Sequence, residues 1–181
     1  QAQIVTLTFI NISAYTHIMN DQDIIEQLRQ DVAGQCACQK IRKASRTITR
    51  RYDDALKPFG LTGNQFTMLT IISLADKVTL SRLAEIIGME RTTLIRNLKP
   101  LERAGLVTIA AEESRRAKHA TISSQGLNTL SKALPVWRNT QASLKADLGD
   151  KTWQVVYQGR DAISELSRNT GMITGITVTL N

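Results

Sequence analysis

Between positions 91 and 99 the chain places Arg91, Thr92, Thr93, Arg96, Asn97 and Lys99, with no acidic residue among them. Each of these side chains donates hydrogen bonds, and three of them carry positive charge. On a helix, such a set suits the edges of bases in duplex DNA. An α-helix fits the major groove, arginine can bridge O6 and N7 of guanine, asparagine can do the same at adenine N6 and N7, and a threonine methyl can touch thymine. A second basic group follows at Arg115, Arg116 and Lys118, in a charged segment that begins with Glu112, Glu113 and Ser114.

These side chains need two helices and a hairpin to position them. Thr79 reads as the N-cap of a helix with an apolar stripe of Leu80, Leu83, Ala84, Ile86 and Ile87. Gly88 ends it in the left-handed conformation. A second periodic run follows, with Leu94, Ile95, Leu98 and Leu101 facing inward, until Ala104 and Gly105 stop it. Residues 106–109 and 119–122 read as paired strands around the charged tip. A basic helix face is often no more than solvated surface, and many helix pairs joined by a glycine bind nothing. Here the helix, turn, acid-free basic run and basic hairpin come in one uninterrupted order, which favours DNA recognition.

The run R-L-A-E-I-I-G-M-E-R-T-T-L-I-R-N-L-K-P-L-E-R-A-G-L-V resembles the winged helix-turn-helix of the MarR family of bacterial transcription regulators. L-T-G-N-Q-F at 61–66 and I-S-S-Q-G at 122–126 extend the likeness, which spans roughly residues 36–169. The resemblance implies a homodimer of mainly α subunits, each with a small β-hairpin wing. Two recognition helices would enter successive major grooves of double-stranded DNA. It also departs from the family at the wing tip, where Ser114 stands at the position of an expected Asp, and Arg116 is the residue matched to the minor-groove contact. The expected assignment is Thr92, Thr93, Arg96 and Asn97 on bases, Ser81, Arg91 and Lys99 on phosphates, and Arg115, Arg116 and Lys118 on the wing.

Within its 181 residues the chain is 42% hydrophobic and 22% charged, the size and make-up of one domain with a full core. A net charge of +7 favours an acidic partner, nucleic acid before an anionic membrane surface. No run approaches the roughly 20 apolar residues of a membrane span. Cys36 and Cys38 are too few for a disulfide framework, so a reducing cytoplasm is the expected compartment.

The expected organisation is an extension of unknown role at 1–20, dimerisation helices at 21–56, a winged helix-turn-helix core at 57–123, further dimerisation helices at 124–169, and a tail of unknown role at 170–181. The family-like protein is expected to start at Met19, with the preceding residues vector-derived or translated from upstream. Residues 22–56 read as helix with a break at Gly34. There Ile41, Ala44, Ile48 and Tyr52 form an apolar stripe, and Lys40, Arg42, Lys43, Arg46, Arg50 and Arg51 crowd the other positions. Thr62 and Gln65 form a capping box ahead of Phe66, Leu69, Ile72 and Leu74. Helical runs with Leu127, Leu130, Leu134 and Trp137, then Trp153, Val156, Tyr157, Ile163 and Leu166, close the chain around a turn at Gly149. Pro100 and Pro135 are expected to kink or break their helices.

No phosphate-binding glycine loop, H-E-x-x-H or G-x-S-x-G occurs, and His17 and His119 are the only histidines, so neither an enzyme nor a metal or cofactor site is expected. Cys36 and Cys38 read first as small buried residues of a dimer helix. Residues two apart on a helix point away from each other, which would strain a disulfide between them. The resemblance also points to a peroxide-sensing branch of the MarR family that carries a reactive cysteine near this place; Cys38 is its better match, although that branch also supplies tyrosines to bind the oxidised sulfur and the neighbouring positions here are Ile41 and Arg42. Family members also bind anionic aromatic effectors between the dimerisation helices and the winged core, for which Arg42, Arg46 and Arg50 are candidate partners. A protein-interaction module built on the winged fold is the alternative from another class.

Overall fold

The computed structural model describes residues 21–112 and 115–169, with the side chains of Glu112, Arg115, Arg116 and residues 166–169 outside the description. The expectations for 1–20, for 170–181 and for the side chains of Arg115, Arg116 and Leu166 therefore lie outside the described residues. By its contacts the chain divides into two units, one ending at Arg46 and the other beginning at Thr47.

The first unit holds α1 (Asp21–Gln27), a π-helical turn (Leu28–Val32), and the opening of α2 (Ala37–Leu56). Gly34 has φ of 76° and ends the first helical stretch, as its lack of a Cβ allows. Ile24, Ile25, Leu28, Val32 and Ile41 are all exposed within the chain.

The second unit contains the core. After α2 and a 3-10 turn (Lys57–Phe59), α3 runs Gly63–Leu74, α4 Leu80–Ile87, α5 Arg91–Arg103 and α6 Ser124–Asn169. The antiparallel strands β1 (Val78–Thr79), β2 (Val107–Glu112) and β3 (Arg115–Ile122) pair in the order β1-β3-β2. Val78 sits opposite Ala120 and Ile109 opposite the other edge of the same residue, so β3 is central. Leu56, Met68, Leu69, Ile72, Leu83, Leu94 and Leu98 are each fully buried and join the helices to this sheet. At about 1.5–3 kcal/mol for each large apolar side chain removed from water, this cluster is the main source of stability.

Local signals held where they were complete within a few residues. The Thr62 hydroxyl accepts from Gln65 N at 3.2 Å while Gln65 Oε1 accepts from Thr62 N at 2.9 Å, a full capping box. Thr79 Oγ1 accepts from Arg82 N at 3.1 Å and caps α4, and Gly88 closes that helix at φ of 70°.

Four expectations are corrected. Ile86 is exposed, because successive residues turn by roughly 100° and this position falls away from the face of Leu80, Leu83 and Ala84. Leu74 and Leu127 are exposed as well. Neither proline interrupts its helix: α5 continues through Pro100, and the non-helical residue inside α6 is Gly149, at φ 73° and ψ 156°. Both prolines are exposed. Cys36 precedes the first residue of α2, so the expectation that both cysteines lie on that helix is corrected for Cys36; within the single chain both are exposed, and their expected burial is against a second subunit.

Candidate nucleic-acid interface

The inner face of α5 is set by Leu94 and Leu98, both fully buried, and Leu101, which is nearly so. That burial fixes the helix's rotation about its own axis and decides which side chains point outward. Thr92, Arg96 and Lys99 are exposed at helical spacing along one outer stripe. Arg103 continues the stripe one turn further and is also exposed. The sequence reading omitted Arg103, although its spacing of seven from Arg96 placed it on the same face. Arg96, Lys99 and Arg103 enter no ion pair among the described residues, so their charge is directed at solvent.

The other expected residues are placed differently. Thr93 and Asn97 are half-buried at the edge of the stripe, and Asn97 Nδ2 donates to the Thr93 carbonyl at 2.8 Å. Arg91 Nη1 donates to Ser81 Oγ at 3.3 Å, joining the starts of the two helices through two residues expected to hold phosphates. Lys118 is exposed on β3 beside Ala111 of β2. Backbone pairing of Glu112 with Arg115 follows a register shift after Ala111.

Behind this surface lies an open cleft of about 250 Å³ lined by Thr49, Tyr52, Gly63, Asn64, Thr67 and Trp137. Trp137 stacks on Phe66 at 5.9 Å and on Tyr52 at 6.3 Å between ring centres. The Tyr52 hydroxyl donates to Gln141 Oε1, and Gln141 Nε2 donates to the Tyr157 hydroxyl at 3.4 Å. Burial raises the Tyr52 pKa, the neighbouring Tyr157 raises it further, and Arg51 opposes both. The lining carries no charge, so it offers hydroxyls, an amide and aromatic faces. Arg42 and Arg46, the expected effector partners, are exposed on the first half of α2.

No group of three His, Cys, Asp or Glu among the described residues is arranged to hold a metal ion. No described helix is long and apolar enough to cross a membrane.

Two helices joined by a left-handed glycine, a basic second helix and a three-stranded wing sheet define a winged helix-turn-helix protein. Residues 59–117 match the MarR family model. MosR, a transcriptional regulator of M. tuberculosis solved in complex with DNA, is 40% identical; the alignment covers 75% of this chain and 98% of MosR, with a TM-score of 0.67. AbsC, a MarR family transcriptional regulator from Streptomyces coelicolor, is 27% identical over 76% of this chain and 96% of its own, with a TM-score of 0.60. YwoH, an uncharacterized HTH-type transcriptional regulator of Bacillus subtilis (strain 168), is 28% identical over 79 residues, 44% of this chain. The chain spans 58% of the length of that curated relative. The chain belongs to the MarR family, and these relatives are transcriptional regulators, not enzymes.

Proposed function

We propose that this chain is a sequence-specific, homodimeric DNA-binding transcription regulator, a repressor in the cytoplasm acting on a pseudo-palindromic operator. The observation that carries the reading is α5. Its buried Leu94 and Leu98 hold Thr92, Arg96 and Lys99 outward as an unpaired basic stripe. A single such helix reads too few base pairs to stand out in a genome, whereas two related by a two-fold axis combine their contributions. Val155, Val156 and Ile163, exposed on α6, supply an apolar face for the second subunit. MosR, the relative solved with DNA, supports the partner class.

The test is binding to duplexes selected from random DNA. Selected half-sites should lie about 10 base pairs apart, and log affinity should fall with log salt by about 0.9 for each phosphate neutralised. Binding that stays flat between low and moderate salt overturns the reading.

A small anionic aromatic effector is proposed for the cleft at Tyr52 and Trp137, where it would act through different affinities for two spacings of the recognition helices. Its hydrogen-bonding partners there would be Thr49, Tyr52, Asn64 and Thr67. Aromatic acids at millimolar concentration that leave both melting temperature and operator binding unchanged would exclude it.

The exposure of both thiols, with Cys36 ahead of the helix that carries Cys38, favours a second reading as a thiol-based regulator. Peroxide would then weaken operator binding in the parent protein and leave Cys38→Ser unaffected.

A further inference from the structure

The turn that follows α5 closes the helix through its N–H groups, Ala104 N donating to Pro100 O, Gly105 N to Glu102 O and Leu106 N to Leu101 O, and leaves its own carbonyls, those of Ala104, Gly105 and Leu106, facing away from the helix ladder. All three are taken by the start of α6. Ser123 N donates to Leu106 O at 3.0 Å, the Ser123 hydroxyl donates to Gly105 O at 2.6 Å, and Gln125 Nε2 donates to Ala104 O at 3.2 Å. The same Ser123 oxygen accepts from Gly126 N at 2.9 Å, so one hydroxyl holds the turn after the recognition helix and caps the next helix.

Gly126 sets how closely the start of α6 approaches the backbone of Leu106, just after α5. A Cβ at this position would stand 2.1 Å from the Leu106 carbonyl oxygen and 2.9 Å from Ile122 Cγ1. Any other residue forces α6 away from the end of α5. The whole wing hairpin lies between these partners in sequence, yet the chain is closed across its base by side chains and not only by the sheet.

We infer that Ser123, Gln125 and Gly126 form a rigid joint that positions the recognition helix against α6, so that the orientation of α6 dictates where α5 lies on DNA. The inference rests on the DNA-binding reading. In it, the part of α6 after the Gly149 break presents the subunit face at Val155, Val156 and Ile163, and the part before it grips the turn that ends the recognition helix. The spacing of two recognition helices then depends on this joint as well as on the bend at Gly149. Gln125 touches no base or phosphate in this account; it is a positioning residue.

The experiment compares the parent protein with Gln125→Ala and, separately, Ser123→Ala on three duplexes: the selected operator, and the same half-sites with one base pair inserted or removed. Random duplex, melting temperature and dimer mass are measured alongside. Gln125 is exposed and gives up a single hydrogen bond, so Gln125→Ala should fold even if Ser123→Ala does not. The expected result is a preference for the selected spacing reduced by roughly 5-fold, the equivalent of one lost hydrogen bond, with random-DNA affinity and dimer mass unchanged. Spacing discrimination retained in full by Gln125→Ala overturns the joint while leaving the DNA reading intact. So does a loss of affinity that is equal at all three spacings and tracks a lower melting temperature, since that describes stability alone. A parent protein that does not distinguish the operator from random duplex overturns the DNA-binding reading and the joint with it.

Discussion

Asn97 Nδ2 donates to the Thr93 carbonyl at 2.8 Å, one turn back along the same helix. A bidentate grip on adenine needs both the amide and the carbonyl of asparagine. In this conformation one of the two N–H groups of Asn97 is held by the helix, which limits how its amide can turn toward a base, whereas Arg96 extends into solvent beside it.

Arg96→Ala is therefore expected to lose roughly 1–3 kcal/mol on the selected operator and little on random DNA, and Asn97→Ala to lose less than Arg96→Ala. Lys99→Ala should weaken both kinds of duplex alike and reduce the salt slope by about one contact. Competition binding at two salt concentrations separates the three. Equal losses for Arg96→Ala and Lys99→Ala on both duplexes would place the reading surface elsewhere.

Gly126→Ala should destabilise the protein by about 1–3 kcal/mol, because its neighbour at 2.1 Å is a backbone oxygen that cannot rotate aside. Denaturant unfolding followed by circular dichroism gives the value directly. An unchanged midpoint would mean that α6 shifts without strain.

Ile163 is 52% exposed on α6 within one chain, which a subunit interface would cover. Ile163→Asp should then place an unpaired charge in that interface, split or unfold the dimer, and abolish operator binding although α5 is untouched. Sedimentation and operator binding report the two consequences together. A soluble monomer with the parent affinity would refute the dimeric arrangement.

Tyr52 gives a pH dependence of definite sign. Its pKa is raised in the folded chain, first by burial and then by Tyr157, so the unfolded chain loses this proton first. The resulting contribution is constant below the ordinary tyrosine value of about 10 and is lost as pH rises through the higher folded value. Tyr52→Phe removes the titration, and its unfolding free energy should fall less steeply on the alkaline side than that of the parent. Parallel alkaline limbs for the two proteins would show that this hydroxyl does not contribute.

Much of the winged core was determined by short stretches of sequence, since the physics there closes within one or two turns. Leu94, Leu98 and Leu101 recur at helical spacing and had to share a face, which also decided that Arg96 and Lys99 point outward. Thr62 with Gln65, and Thr79, cap helices through partners three residues away, and Gly88 supplies a left-handed residue at the point where α4 must end. Other features depended on residues distant in the chain, and only the tertiary structure decided them. The two-residue strand β1 has no alternation of its own and exists because β3 offers a free edge. Tyr52 meets Gln141, and Gln125 meets Ala104, only once the helices have packed. Pro100 and Pro135 lie within α5 and α6 without ending them, an outcome that a local rule for proline does not give. Gly126 looks from sequence like an ordinary glycine near a helix start. Its necessity comes from the Leu106 carbonyl, which arrives from the far side of the wing.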